Sequence, residues 1–291
     1  MTSSKRHPYI PQFYLKGFTD NNGVYFLFDK QTEEIRKAKP INSFFENNRN
    51  TAYAKDQKFV AVEDIYANFD SKAAVQLEKV RAATIENFSL EPEILHRLKA
   101  FTALTYWRIP ENDLRLEKMI DELSFKDIGL DYKNKHTGES LLTPELIIGL
   151  KKIDAFRKMN RLFIPLVSGY DKYKSTNFEN WRVYFHKNKV HLTGDNPIVI
   201  SEYLDFNSLN GELFFPLSSD KLFMHTKKNK PQILPASFLL ELDLLILHQA
   251  TRFVCCPNRE YLEFLVEKHY PLYRNIDFAN QMKKDIFNYF K

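Results

Sequence analysis

Apolar and polar residues alternate through "GVYFLFDKQTEEIRKAKP", and a polar turn at Asp29–Thr32 splits the alternation in two. This stretch predicts a β-hairpin that closes before Pro40. From about Val60 to Glu86 the period changes: Val62, Tyr66, Phe69, Ala73, Leu77 and Val80 keep helical spacing. A second helix is predicted from about Pro92 to Ile109, with Ile94, Leu98, Phe101 and Thr105 on one face. Pro92 suits its first turn, and Pro110 stands just past its end. More helix follows at about 111–125. After the polar loop "GLDYKNKHTGES", one helix is predicted to open at Thr143-Pro144 and reach about Leu166.

At Trp181 the pattern turns to strands. "WRVYFHKNKVHLTGDNPIVISE" alternates as a pair around a turn at Lys187–Val190, and "ELFFPLSSDKLFMHT" supplies two more strands broken at the Pro-Leu-Ser-Ser corner. A helix at about 236–250, a strand "RFVCC" and closing helices complete the chain. Helices and antiparallel strands fall in separate blocks, which predicts an α+β fold: a helical bundle packed on an antiparallel β-sheet, with an N-terminal β-hairpin. The expected organisation is one domain over 1–291. It comprises an N-terminal segment and hairpin (1–55), a mainly helical part (56–170), and strands with closing helices (171–291). The opening "KRHPYIPQFYLKGF" carries a histidine, two prolines and four aromatic rings, too much buriable surface for a polar tail, and is expected to form one wall of a site.

Composition narrows the class. The chain has 291 residues, 44% of them hydrophobic, enough to bury a sizeable core. Its net charge of +5 reflects 42 basic against 37 acidic residues, a small excess that is compatible with nucleic acid or a small anionic ligand without arguing for either. The two cysteines, Cys255 and Cys256, are neighbours and offer no disulfide framework. The N-terminus has no signal-peptide pattern, and no stretch approaches the roughly 20 apolar residues of a membrane span. A cytoplasmic protein without membrane contact is expected.

Three stretches carry candidate chemistry. In "LTGDNPIVI", Asp195 lies where a strand must break ahead of Asn196-Pro197, a common way to present a catalytic acid, base or metal ligand; an Asx-type turn is the plainer alternative. On the long helix, Glu63, Tyr66 and Asp70 share a stripe with Ala73 and Leu77, so two acids border a buried surface and call for a cation. Arg108 continues the inward face of the next helix and is the obvious cation, either in a salt-bridge cluster between helices or in a functional site. His7, stiffened by Pro8 and Pro11, is placed as a general base or as a satisfied structural histidine. Gln12, Tyr14, Asn196 and Arg252 complete the set as ligand-binding side chains, Arg252 alternatively capping helix carbonyls. His186 and His191 are expected to face each other across the predicted hairpin, with no third zinc ligand nearby in sequence. Ser218 and Ser219 read as turn residues, and no Walker A, Rossmann or H-E-x-x-H pattern occurs.

These residues resemble a bacterial and fungal family of uncharacterised proteins, domain-of-unknown-function family 4238. "HPYIPQFYLKGF" is similar to its His-x-x-Pro-Gln-Phe-Tyr-Leu-x-x-Phe start, and "GVYFLFDK" to its hairpin. "VEDIYANFDSKAA" is similar to its two-acid helix, with Asp70 where Glu is usual. "TYWRIP" resembles its Arg-x-Pro helix end, and "LTGDNPIVI" its Ser-Asp-Asn-Pro segment, with Gly194 in place of serine. "FFPLSSDKLF" and "HQATRFVCC" resemble the closing portion, where Cys255 replaces a serine. The resemblance implies that His7, Gln12, Tyr14, Glu63, Asp70, Arg108, Asp195 and Asn196 are signature positions, and it implies no activity.

The expectation is a hydrolase acting on phosphoester bonds, phosphodiesterase- or nuclease-like. Glu63 and Asp195, with Asp70, would bind a divalent metal or polarise water, His7 would move a proton, and Arg108 would hold a phosphate. The alternatives are a module sensing a small anionic or nucleotide ligand, and a purely structural polar network.

Overall fold

The computed structural model describes residues 5–54, 57–59, 61–122, 131, 133–170, 178–188, 191–201, 211–228, 230–273 and 275–289. The leader forms a short strand β1 (Arg6–Pro8) and a helical turn α1 (Gln12–Leu15), followed by the predicted hairpin, β2 (Tyr25–Asp29) and β3 (Glu34–Ala38). Then come β4 (Phe45–Asn47), β5 (Ala52–Ala54) and β6 (Gln57–Phe59). The helical block holds α2 (Ala61–Ala82), α3 (Pro92–Arg108), α4 (Asp113–Glu122), α5 (Pro144–Lys151) and α6 (Asp154–Tyr170). Strands β7 (Trp181–Phe185), β8 (Thr193–Gly194), β9 (Val199–Ile200), β10 (Leu213–Ser218) and β11 (Lys221–His225) follow. Helix α7 (Ala236–Gln249), β12 (Phe253–Cys256), α8 (Arg259–Phe264), α9 (Tyr270–Tyr273) and α10 (Ile276–Asn288) close the chain. The fold is α+β.

Two four-stranded antiparallel sheets, ordered β7-β11-β10-β9 and β3-β2-β12-β8, separate two apolar cores. Because side chains alternate along a strand, each central strand feeds both cores. Phe215 and Leu217 join the leader and α3 on one side, while Phe214 joins α7 and α10 on the other; Cys255 and Val254 divide in the same way. This explains why these strands read as unbroken apolar runs. The leader is core material: Tyr14 is fully buried and stacks on Phe215 at 5.3 Å between ring centroids. β1 pairs with β4, His7 opposite Glu46, which brings the start of the chain to the loop at Arg49.

Two expectations need correction. The single helix predicted from Thr143-Pro144 breaks at 152–153 into α5 and α6, and Arg157 Nη1 donates to the Lys151 carbonyl freed at the break (2.9 Å). The strands predicted to pair around Lys187–Val190 do not pair: β7 lies against β11, and β8 lies against β12 in the other sheet. Residues 189 and 190 of that turn lie outside the described residues. Alternation fixes which faces of a strand are buried but not which strand lies beside it.

Candidate functional site

Helix α3 ends at Arg108 because Ile109, ahead of Pro110, is forced into extended geometry (φ −72°, ψ 143°). The arginine side chain is thereby turned inward with only 5% of its surface exposed. Its Nη1 donates to both oxygens of Asp70 (2.9 and 3.0 Å), and its guanidinium lies over the Tyr66 ring at 4.3 Å. Tyr66 and Asp70 are a helical turn apart on α2, so the predicted stripe presents a ring and a carboxylate to one cation. The Nε of Arg108 is buried and makes no hydrogen bond.

A second arginine, hidden in the polar loop "ENNRN", completes this corner. Asn48 adopts a left-handed backbone (φ 59°), which asparagine tolerates better than most residues, and its N–H bonds the Lys5 carbonyl (2.8 Å). The turn delivers Arg49 to the end of α3, where Nε and Nη2 donate to the Arg108 carbonyl (3.2 and 2.9 Å). Nη1 and Nη2 also grip Asp113 as a fork (3.0 and 2.6 Å). Burial works against the Arg49 charge, but the Asp113 and Glu46 carboxylates outweigh it and its pKa stands above the ordinary value.

Helix α6 supplies the opposite wall. Lys158 Nζ donates to the Thr51 carbonyl (2.5 Å) and pairs with Asp154 (3.1 Å), while Arg161 holds Glu117 on α4 (2.5 Å). Arg49, Asn50, Val62, Tyr66, Trp107, Arg108, Lys158 and Arg161 enclose a cavity of about 10 Å³, the size of one water. Among the described residues four cations line it and no carboxylate does; the acids Asp70, Asp113, Asp154 and Glu117 each hold one of these cations.

His7 is tied to Asn50, one of the residues that line this cavity. Its Nδ1 accepts the backbone N–H of Asn50 (2.9 Å), and its Nε2 lies 2.8 Å from Oε2 of Glu63, in the first turn of α2. The imidazole is buried, while the glutamate side chain is 31% exposed. With Nδ1 an acceptor, the ring proton belongs on Nε2, facing the carboxylate. Both ring nitrogens are therefore engaged, and the group with access to solvent is Glu63.

Asp195 is not part of this cluster. Its carboxylate accepts the backbone N–H groups of Thr251 (2.8 Å), Arg252 (2.7 Å) and Phe253 (2.9 Å), and it makes no hydrogen bond or ion pair with His7, Glu63, Asp70 or Arg108. Burial raises its pKa above the ordinary range although those three donors pull the other way. Asn196 exchanges bonds with Gln249 across the same junction: its Nδ2 donates to the Gln249 carbonyl (3.4 Å), and Gln249 Nε2 donates back to the Asn196 carbonyl (2.6 Å). Arg252 pairs with Asp29 (2.9 Å). Tyr14 lies in the core, its hydroxyl donating to the Pro216 carbonyl (2.8 Å) and meeting Thr193 Oγ1 (2.7 Å). Gln12 is exposed on α1.

The residues proposed for a metal do not fit one. Both Asp195 oxygens are taken by N–H donors, one Glu63 oxygen faces His7, and no group of three or more metal-ligating side chains occurs among the described residues. His186 and His191 do meet, with ring centroids 4.8 Å apart, and Asp243 Oδ1 lies 3.6 Å from His191 Nδ1. The cysteine at 255 is fully buried with its thiol pKa pushed up by burial, so it supplies no nucleophile. Gly194 has a local reason: a Cβ there would stand 2.9 Å from the Phe253 carbonyl oxygen in the β8–β12 register.

The reading by spacing missed Arg49, Lys158 and Arg161. Of these, Arg161 carried a usable signal, because it stands four residues after Arg157 and the pair faces the similarly spaced Glu117 and Asp121 of α4. Arg49 carried none.

A family described as "Protein of unknown function (DUF4238)" matches residues 6–258, a span that takes in the leader, the cation-lined cavity and the Asp195 junction. Among curated proteins and solved structures nothing matches the chain.

Proposed function

As the chain belongs to the DUF4238 family, which brings no activity with it, we propose from the geometry that it is a hydrolase of phosphoester type, with the cation-lined cavity as its anion seat. One observation carries the reading: among the described residues four cations and no acid line a cavity, and Glu63, next along α2 from the lining residue Val62, is partly exposed with a buried histidine at its carboxylate. Arg108 and Arg49, fixed from behind by Asp70 and Asp113, are placed to stabilise negative charge on a phosphoryl group without reorganising. Glu63 takes a proton from water, the water oxygen bonds to phosphorus, and the bond from phosphorus to the leaving oxygen breaks. The departing oxygen keeps the electron pair and is protonated from solvent. His7 acts through Glu63, orienting its carboxylate. Asp195 has no part in this chemistry.

A structural reading rests on a different observation, namely that each of the four cations also meets a carboxylate. Assay against p-nitrophenyl phosphate and bis(p-nitrophenyl) phosphate separates the two. Hydrolysis by the wild-type chain, abolished in Glu63→Gln with the fold intact, supports the enzyme; absence of turnover on both substrates leaves the structural network.

A further inference from the structure

The shape of the seat narrows what it accepts. We infer that the cavity bounded by Arg49, Asn50, Tyr66, Arg108, Lys158 and Arg161 is a dead-end site for a terminal, doubly charged phosphate. A phosphodiester inside a strand does not suit it. This rests on the anion-seat reading above and gives it a substrate class.

The first ground is charge. Four cationic side chains border the cavity, and one of them, Arg108, with 5% of its side chain exposed, has a buried Nε–H without an acceptor. A buried guanidinium donor without an acceptor is costly, and an oxyanion would satisfy it. The hydroxyl of Thr51, next along the chain from Asn50, is likewise buried without a partner. A phosphomonoester carries close to two negative charges at neutral pH, where a diester carries one. The carboxylates behind the cations keep the corner from a large positive excess, so discrimination falls to the charge and donors facing the cavity.

The second ground is enclosure. The cavity holds about one water and is walled by α2, α3, α6 and the loop residues Arg49 and Asn50. A strand needs an entrance and an exit; a terminal phosphate needs only an entrance. Two walls are fixed, since the Arg49 and Arg108 side chains are 7% and 5% exposed and held by carboxylates. The α6 wall can give: the Lys158 and Arg161 side chains are long, 20% and 21% exposed, and anchored by their tips. Their outward swing admits the phosphate, and their return adds donors to it.

The test is calorimetric titration of the full chain with inorganic phosphate, in parallel with dimethyl phosphate and with a single-stranded oligonucleotide bearing hydroxyls at both ends. The expected result is one phosphate per chain, with binding that weakens as salt rises, and at least tenfold weaker binding of both diesters. Lys158→Gln, a partly exposed position that leaves the buried arginines in place, should weaken phosphate about tenfold, the loss of one charge-assisted hydrogen bond. No phosphate heat, equal binding of the diesters, or unchanged affinity in Lys158→Gln would each overturn the inference. Hydrolysis of bis(p-nitrophenyl) phosphate alone would also overturn it while leaving the hydrolase reading standing.

Discussion

Nε2 of His7 stands 2.8 Å from Oε2 of Glu63, although one residue lies on the first strand and the other opens the first long helix. Because Nδ1 is tied to Asn50, the imidazole donates in one direction only. In His7→Phe the carboxylate loses that anchor, and turnover per folded molecule should fall at least tenfold, read by assay against p-nitrophenyl phosphate normalised to folded protein. A purely structural histidine would lower expression or stability and leave turnover per folded molecule unchanged. Glu63→Gln keeps an oxygen for the imidazole N–H. It should change unfolding free energy in urea by less than about 1 kcal/mol while turnover falls at least 100-fold, on the order expected for loss of a general base.

Asp195→Asn should show the opposite split. The carboxylate closes three backbone N–H groups of 251–253, and an amide in its place turns a donor toward at least one of them. Leaving a buried donor unmatched costs about 1–3 kcal/mol, so denaturant unfolding should detect a loss of about 2 kcal/mol. Turnover per folded molecule should be unchanged.

Gly17→Ala probes a different junction. Arg81 reaches from α2 to the carbonyls of Phe13 (2.8 Å), Tyr14 (2.7 Å) and Leu217 (3.1 Å), and a Cβ at position 17 would stand 2.4 Å from its Nη2. Displacing the guanidinium sacrifices those charge-assisted bonds, a cost of about 2–3 kcal/mol. In an Arg81→Ala background the same glycine change should cost under about 1 kcal/mol. A double-mutant cycle in urea reads the difference, and additivity of the two changes would refute the coupling.

Stability should fall with acid through His186. Burial, with the nearby His191, lowers its pKa from the ordinary 6.5 to about 4. Its folded state therefore resists a proton that the unfolded chain accepts, so stability is full above pH 6.5 and is lost as pH falls toward about 4, where the folded ring titrates too. The urea midpoint measured across that window should decline less steeply in His186→Phe than in the wild type.

Local signals in the sequence were strong where a single segment decides its own shape. Pro92 and Pro110 bracket α3 and gave its span to within a residue, and the alternation from Tyr25 to Ala38 gave the hairpin, although its turn lies between Asp29 and Glu34 and not at Asp29–Thr32. The pairing of Asp70 with Arg108 was readable because each lies on a helical stripe whose direction periodicity fixes. What escaped depended on residues far away. The donors that occupy Asp195 lie at 251–253, and the strand beside β7 is β11, not the strand that follows it. Arg49 sits in a loop whose backbone path, set by left-handed Asn48, leaves no trace in hydrophobic pattern. His7 was legible as a candidate from its stiffened, aromatic surroundings, but the engagement of its Nδ1 by Asn50 is a matter of tertiary contact that no local pattern carries.

The bond from the Tyr14 hydroxyl to the Pro216 carbonyl joins residues 202 apart. On the ribosome this segment is therefore made well before the strand that houses it: its rings have no complete pocket until β10 has emerged. A nascent chain stopped short of that strand displays Tyr14 and Phe18 to solvent and to chaperones, and contacts so distant in sequence make folding slow. Completion of the β7-β11-β10-β9 sheet is thus the step that commits this segment, and with it His7, to its final place.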